Sequence, residues 1–110
     1  MVSLKNLDND FNSVKSKVHY DHRVRGKISR RLRQCSILIT NRQTEELLLV
    51  DLKHRKNKVE IKVVEEFESL CKDVGYSSGL IISSKDFIKG AKICMKGMTN
   101  IFPIAVDRKN

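Results

Sequence analysis

The segment Arg31–Lys53, RLRQCSILITNRQTEELLLVDLK, determines the fold because it holds two apolar stretches separated by a polar one. The first, Arg31–Thr40, is rich in apolar and β-branched residues, which is typical of a strand. The polar stretch Asn41–Glu46 then predicts a turn. The second apolar stretch, Leu47–Lys53, opens with four consecutive apolar residues, which is typical of a strand buried on both faces. Because the connection is short, the two strands are predicted to pair antiparallel.

The residues before this segment indicate a helix and a short strand. Apolar residues three and four positions apart predict an amphipathic helix over Leu4–Val18, which would end near Tyr20-Asp21. A short strand is expected at Val24–Lys27. The strand over Arg31–Thr40 is expected to alternate, with Cys35, Ile37 and Ile39 on one face and Gln34, Ser36, Leu38 and Thr40 on the other.

The residues after the segment alternate between helix and strand. A helix is predicted over Val59–Val74, and Gly75 suits the position just past its C-terminus. Gly79–Ile82 has the length of a strand. Ser83-x-x-Asp86 resembles a capping box that would open a helix running through Met95. The last strand is Ile101–Val106, and Pro103 marks it as an edge strand.

These elements predict the fold class and domain organisation. The order α-β-β-β-α-β-α-β is that of an α/β protein with one mixed sheet and helices on both faces. A chain of 110 residues fits one domain, 1–110. No apolar run is long enough to span a bilayer and no secretory signal is apparent, so a cytoplasmic protein is expected without membrane contact. Cys35, Cys71 and Cys94 form no C-x-x-C motif, which favours buried reduced thiols.

The charge of the chain points to a polyanionic partner. The net charge is +9, and the stretch from Lys15 to Arg33 has eight basic residues against one acid, Asp21. Like charges at this density repel one another without a partner, which favours nucleic acid over a merely solvated surface. The chain has four Phe, two Tyr and no Trp. So few aromatic residues favour double-stranded DNA, held by its phosphates, over stacked single strands.

A carboxylate and a lysine close the second strand of the segment. Asp51 and Lys53 are two residues apart, so on a strand their side chains share a face. A metal-dependent nuclease needs a carboxylate to hold Mg²⁺ and a lysine to position the attacking water. With the turn centred between positions 43 and 44, the numbers of paired residues sum to 87. Asp51 then faces Ser36, and Lys53 faces Gln34.

With these residues the sequence resembles the Mrr-like restriction endonuclease domain, a branch of the PD-(D/E)xK nucleases. The resemblance runs from about Asp21 to Val106. Residues 26–39, GKISRRLRQCSILI, resemble the family's G-K-S-G-x-x-R-Q-x-D-V-L-I segment, and VDLK at 50–53 resembles its V-E-C-K strand. The order of later motifs also agrees: Val64-x-x-Phe67, Gly75-x-x-x-Gly79-Leu80-Ile81-Ile82-Ser83 and Phe87-x-x-Gly90-Ala91.

The resemblance implies an endodeoxyribonuclease that hydrolyses DNA phosphodiesters with Mg²⁺. Asp51 matches the second acidic ligand, the carbonyl of Leu52 a backbone metal ligand, and Lys53 the catalytic lysine. Ser36 stands where the first Asp is expected, and a neutral hydroxyl is a poor ligand for a hard dication, so impaired cleavage is expected. The residues expected to contact DNA are Lys27, Arg30, Arg31, Arg33 and Gln34.

Several alternatives remain open on the sequence alone. A replacement carboxylate could come from Asp8, Asp10, Glu65 or Glu66. A small, basic, non-catalytic nucleic-acid-binding protein explains the charge equally well, but does not explain why Asp51 and Lys53 end a buried strand. A module that binds an acidic protein has nothing specific in its favour. A homodimer is plausible, since a single metal site cuts a single strand.

Overall fold

The computed structural model describes residues 16–106, which form one five-stranded sheet and two helices. The strand order is β1-β2-β3-β4-β5. Neighbouring strands are antiparallel from β1 to β3 and parallel from β3 to β5, which is the predicted mixed sheet. The bounds are β1 Ser16–Arg25, β2 Leu32–Asn41, β3 Leu47–Lys53, α1 Ile61–Val74, β4 Ser78–Ser83, α2 Lys89–Lys96 and β5 Ile101–Ala105.

The pairing of β2 with β3 follows the predicted register. The ladder runs from the pair Ile37–Val50 to the pair Thr40–Leu47, and each pair of numbers sums to 87. The ladder stops at Ile37, so the expected pairs Ser36–Asp51 and Gln34–Lys53 are not part of it. The apolar alternation and the polar turn therefore fixed the alignment of these strands, but not how far they stay paired.

The N-terminal part of the described chain differs from the prediction. Residues 4–15 of the helix expected over Leu4–Val18 lie outside the described residues, but 16–18 belong to β1, so this end of the prediction is wrong. The short strand expected at Val24–Lys27 is the end of a ten-residue strand. Val18 pairs with Ile39 and Val24 with Arg33 along that strand. Pairing with β2 therefore overrides the helical spacing, as tertiary context often does.

The hairpin of β1 and β2 is irregular at Asp21, where a helix exit was predicted. Its ladder omits the pair Asp21–Ser36, and Asp21 has the positive φ of 46°. His19 and His22 flank this point, and their rings stack with centroids 4.3 Å apart. On the opposite strand, Cys35 and Leu38 are both buried in the core although they are three residues apart. The expected strict alternation of β2 is therefore wrong at this position.

Both described helices pack on the same face of the sheet. Parallel strands joined in sequence by right-handed crossovers place their helices on one side. A Cβ atom on Gly79 of β4 would lie 2.9 Å from Phe67 and 3.1 Å from Cys71 of α1, so glycine permits this close approach. The helix predicted for the other face is the first one, and most of it lies outside the described residues. The prediction of helices on both faces therefore stays a prediction. The core cluster comprises Cys35, Leu38, Leu49, Val59, Val64, Phe67, Cys71, Val74, Ile81, Phe87, Ala91, Met95 and Ile101.

The boundaries of the C-terminal half agree with prediction to within two residues, except at the second helix. Gly75 follows α1 in the left-handed conformation, φ 83°, and its N–H donates to the carbonyl of Cys71. The helix predicted to open at Ser83 begins only at Lys89. The intervening residues stay extended because Phe87 forms a parallel bridge with Val59, so the capping-box interpretation is wrong. β5 lies at the sheet edge, as Pro103 predicted.

Neither helix of residues 16–106 has the length and apolar content that crossing a membrane requires.

Candidate active site and nucleic-acid interface

Asp51 and Lys53 lie side by side where β3 ends. Alternation along the strand directs both side chains to one face. The ammonium Nζ of Lys53 is 3.3 Å from Oδ2 of Asp51, and the two side chains are 35% and 18% exposed. The pair is thus half-buried and still accessible to a ligand. Its net charge is close to zero, because the lysine neutralises the carboxylate.

Ser36 reaches the same carboxylate from β2. Its hydroxyl lies 3.3 Å from Oδ1 of Asp51, to which it donates, and its Oγ accepts from the N–H of Leu52 at 3.5 Å. The three residues predicted as catalytic are therefore brought together, although Ser36 and Asp51 are fifteen positions apart. The hydroxyl donates a hydrogen bond to Asp51 and adds no negative charge.

The oxygen atoms at this site form a sparse donor set for Mg²⁺. Hard dications prefer several oxygen ligands, and Mg²⁺ is commonly held by one or two carboxylates together with substrate phosphates. The structure brings together the carboxylate of Asp51 and the hydroxyl of Ser36, and the family resemblance adds the backbone carbonyl of Leu52. Within residues 16–106, no group of three or more His, Cys, Asp or Glu side chains is placed to hold a metal ion. The Asp51 carboxylate is the single charged ligand among these donors.

Two buried thiols lie close to the site. Cys35 and Cys71 are 2% and 0% exposed. Burial raises the pKa of Cys71 to about 12, and the charge of Asp51 adds to this rise. Burial likewise raises the pKa of Cys35, again with a contribution from Asp51. Both thiols therefore stay protonated at neutral pH and act as small apolar core residues.

The tip of the β1–β2 hairpin is bound to the C-terminal end of α1 by one buried acid, Asp73. Its carboxylate accepts from the N–H of Ile28 at 3.0 Å and from the N–H and hydroxyl of Ser29 at 2.8 and 2.6 Å. The guanidinium of Arg33 completes the set at 2.7 Å. The hydrogen bonds from Ser29 and those from Arg33 and Ile28 hold the pKa of Asp73 well below its usual range.

The residues predicted to contact DNA are carried by this hairpin. Lys27, Arg30 and Arg31 are exposed in the connection between β1 and β2. Arg33 is engaged by Asp73, and its side chain is 29% exposed. Gln34 is exposed, and its Oε1 accepts from Nε of Arg23 at 3.4 Å. These positions share the hairpin, and no hydrogen bond or ion pair joins them to the Asp51–Lys53 pair.

Of the four carboxylates considered as replacements, the two that the structure describes, Glu65 and Glu66, form no metal-binding group with Asp51. Asp8 and Asp10 lie outside the described residues. Glu65 and Glu66 are exposed on α1, and Glu65 lines a pocket beside the hairpin tip together with Ile28, Arg33 and Asp73.

Sequence reasoning missed the role of Asp73. An acid in the last turn of a helix is disfavoured by the helix dipole, so its occurrence there signals a compensating partner. The sequence therefore indicates that a partner exists, but it does not identify the partner, a loop more than forty residues earlier. The basic residues 54–58, which follow Lys53 directly, were also not distinguished from the general positive charge.

Comparison with known proteins agrees with this fold. No curated protein matches the sequence. Among solved structures, the crystal structure of AF1548, a protein of unknown function, superposes with a TM-score of 0.65 at 14% identity. The match covers 82% of this chain and 49% of that one, so this chain spans about half the length of AF1548. A likeness at this identity concerns the fold alone. A family model described as a restriction endonuclease, of the Mrr catalytic type, matches residues 21–109, and the chain therefore belongs to the Mrr-type restriction endonuclease family.

Proposed function

We propose that this protein is a restriction-endonuclease-like domain that binds double-stranded DNA and whose Mg²⁺-dependent phosphodiester hydrolysis is impaired. The observation that carries the proposal is the contact between Ser36 and Asp51. A hydroxyl lies 3.3 Å from the carboxylate, at the position where a second carboxylate is expected in this family. The fold and the Asp51–Lys53 pair support a nuclease ancestry, whereas the missing charge supports impaired cleavage.

The proposal gives each residue of the site a role. Asp51 and the carbonyl of Leu52 would hold Mg²⁺, which, when bound, stabilises the negative charge that develops on the phosphate. Lys53 would orient the attacking water and contact a phosphate oxygen. Because its ammonium is 3.3 Å from Asp51, a bound dication would compete with it for the same carboxylate. Ser36 offers no charge to offset this competition, so Mg²⁺ binding would be weak.

The DNA would be held chiefly by its phosphates. Lys27, Arg30 and Arg31 are exposed cations on one loop, which suits backbone contacts without strong sequence preference. Gln34 continues this surface along β2, whereas Arg33, also on β2, is held by Asp73. A homodimer would allow both strands to be engaged. A DNA-processing role would place the protein in the cytoplasm together with its substrate.

A second candidate is a non-catalytic, basic nucleic-acid-binding protein. The neutral Asp51–Lys53 pair favours it, because an ion pair that is already satisfied has little affinity for a dication. Both candidates share the DNA-binding surface. They differ in whether one restored carboxylate recovers cleavage.

The test is a plasmid-nicking assay in Mg²⁺ with variants at position 36. Wild-type protein should nick feebly or not at all. Ser36→Asp should raise Mg²⁺-dependent nicking by at least about tenfold, which corresponds to about 1.4 kcal/mol of barrier. Ser36→Asn introduces a side chain of the same shape as aspartate but without its charge, and should not raise nicking. The double variant Ser36→Asp with Asp51→Ala should return to background.

Two results would contradict the proposal. Brisk cutting by the wild-type protein would mean that another carboxylate serves as a ligand, and Asp10 and Glu66 would be substituted next. No gain from Ser36→Asp, in protein that still binds duplex DNA, would favour the non-catalytic candidate.

A further inference from the structure

Residues 54–58, HRKNK, form a strongly basic loop directly after Lys53. Arg55, Lys56 and Lys58 contribute three positive charges, and His54 adds a fourth basic side chain. Together with Asn57 and Glu60, these residues line a pocket of about 360 Å³. The basic loop is therefore concave and carries a net positive charge.

The backbone of the basic loop is fixed at both ends. The N–H of Ser84 donates to the carbonyl of Lys53 at 2.9 Å. The N–H of Arg55 donates to Oγ of Ser84 at 2.9 Å, and that hydroxyl lies 3.3 Å from the carbonyl of Arg55. At the other end, the N–H of Val59 donates to the carbonyl of Asp86 at 2.9 Å. The loop is thus pre-organised, so little conformational entropy would be lost on binding a ligand.

The cations of the basic loop are poorly neutralised. Lys58 lies near Asp86 and contributes to lowering the pKa of that carboxyl, which is held down first by the N–H of Phe87. The side chains of Arg55 and Lys56, by contrast, make no ion pair or hydrogen bond with any residue between 16 and 106. Several other basic side chains are paired with acids: Arg33 with Asp73, Lys53 with Asp51, Lys72 with Glu68 and Lys92 with Asp86.

We propose that the basic loop is a second DNA-contact site, which binds backbone phosphates of the duplex next to Asp51 and Lys53. The inference rests on the proposed function and adds a surface distinct from the β1–β2 hairpin. Arg55 follows Lys53 by two residues, about 7 Å of extended chain, so a phosphate bound here lies beside the candidate site. The guanidinium of Arg55 can grip a phosphate with two parallel hydrogen bonds, and Lys56 adds a point charge.

Duplex DNA fits this loop better than a single strand. Binding of single strands relies on stacking of bases on aromatic side chains, and the basic loop contains no Phe, Tyr or Trp. Its side chains instead offer charge and hydrogen-bond donors to a regular phosphate backbone.

The test measures duplex binding by fluorescence anisotropy over a range of salt concentrations. The double variant Arg55→Gln with Lys56→Gln removes two charges. The matched control, Arg42→Gln with Lys96→Gln, also removes one arginine and one lysine. Arg42 lies in the turn before β3 and Lys96 at the end of α2, so both are at the opposite end of the sheet. The slope of log K against log salt is negative. Its magnitude should fall by about 1.8 in the loop variant and stay nearly unchanged in the control.

The outcomes separate this inference from the proposed function. If the wild-type protein binds no duplex DNA, both fail. If it binds and the loop variant behaves like the control, the basic loop makes no phosphate contact, although the proposed function stands. Thermal unfolding checks that the variants are folded. Lys56→Gln alone removes one charge from an exposed side chain of the loop. It should reduce the magnitude of the slope by about 0.9 and leave the stability of the protein unchanged.

Discussion

The carboxylate of Asp73, at the end of α1, lies 2.7 Å from the guanidinium of Arg33 in β2. The same carboxylate holds the backbone of the hairpin tip through Ile28 and Ser29. One buried acid therefore joins a long hairpin to a helix that comes forty residues later. The exposed cations of the hairpin, Lys27, Arg30 and Arg31, are presented by a loop whose shape depends on this contact.

Asp73→Asn should destabilise the protein markedly. The amide cannot accept all the hydrogen bonds that the carboxylate accepts, and Arg33 loses its counter-charge. We expect the midpoint of thermal unfolding, followed by circular dichroism, to fall by at least about 5 °C. Glu68→Gln, which removes only the partly exposed pair with Lys72 at 3.6 Å, is the control and should change it little. An equal effect of the two substitutions would contradict a special role for Asp73.

The stability of the protein should fall with acid through Asp73. Its pKa is lowered in the folded protein by hydrogen bonds from Ser29 and by Arg33. A carboxyl whose pKa is lower in the folded state stabilises that state above its unfolded pKa of about 3.9, and this contribution is lost as the pH falls further. Unfolding midpoints measured from pH 6 down to pH 2 should therefore decline more steeply for the wild type than for Asp73→Asn. Parallel curves would show that other carboxyls dominate.

Gly26→Ala should also loosen the hairpin tip. A Cβ atom at this buried position would lie 2.1 Å from Oδ2 of Asp73, and that carboxylate cannot move without losing its hydrogen bonds. Overpacking of this kind typically costs about 1–3 kcal/mol of stability. Gly97→Ala is the control, because a Cβ atom at this position would lie 3.6 Å from the carbonyl oxygen of Cys94, which is an ordinary van der Waals contact. Urea denaturation of both variants measures the difference, and similar unfolding midpoints would contradict the expected clash.

The cations of the hairpin should separate into DNA-binding and structural ones. Replacing Lys27, Arg30 and Arg31 together by Gln should reduce the magnitude of the slope of log K for duplex DNA against log salt by about 2.7. The stability of the protein should change little. Arg33→Gln should instead lower the unfolding midpoint, because it leaves Asp73 without its counter-charge. Anisotropy titrations and thermal unfolding on the same samples test this. An unchanged slope in the triple variant would mean that the hairpin is only a solvated surface.

The three thiols should differ in reactivity. Cys35 and Cys71 are buried and their pKa values are raised, whereas Cys94 is partly exposed. A thiol reagent at pH 8 should therefore modify Cys94 first in the native protein, and the other two only on unfolding. Peptide mapping after a short pulse of reagent identifies the modified residue. Rapid native labelling of Cys71 would be incompatible with its burial.

The sequence by itself determined the centre of the sheet and the candidate catalytic residues. β3 has the predicted bounds, and its register with β2 was predicted because a two-residue period and a short polar turn leave one alignment that buries the apolar faces. That register placed Ser36 opposite Asp51, fifteen positions away, and the contact at 3.3 Å is observed. Gly75 indicated a helix end because glycine tolerates the left-handed conformation found there, and Pro103 indicated an edge strand because proline has no backbone N–H to donate to a neighbouring strand.

Only the tertiary structure decided the features that depend on distant partners. Residues 16–18 belong to a stretch with helical spacing, yet they lie in β1 because they pair with residues 39–41 of β2. Ser83 and Asp86 resemble a capping box, yet the bridge between Val59 and Phe87 keeps the chain extended until Lys89. The position of Asp73 in the last turn of a helix indicates that it has a compensating partner, but only the fold shows that the partner is the hairpin tip. Local patterns encode local periods and turns, whereas these contacts form between segments whose proximity only the complete fold creates.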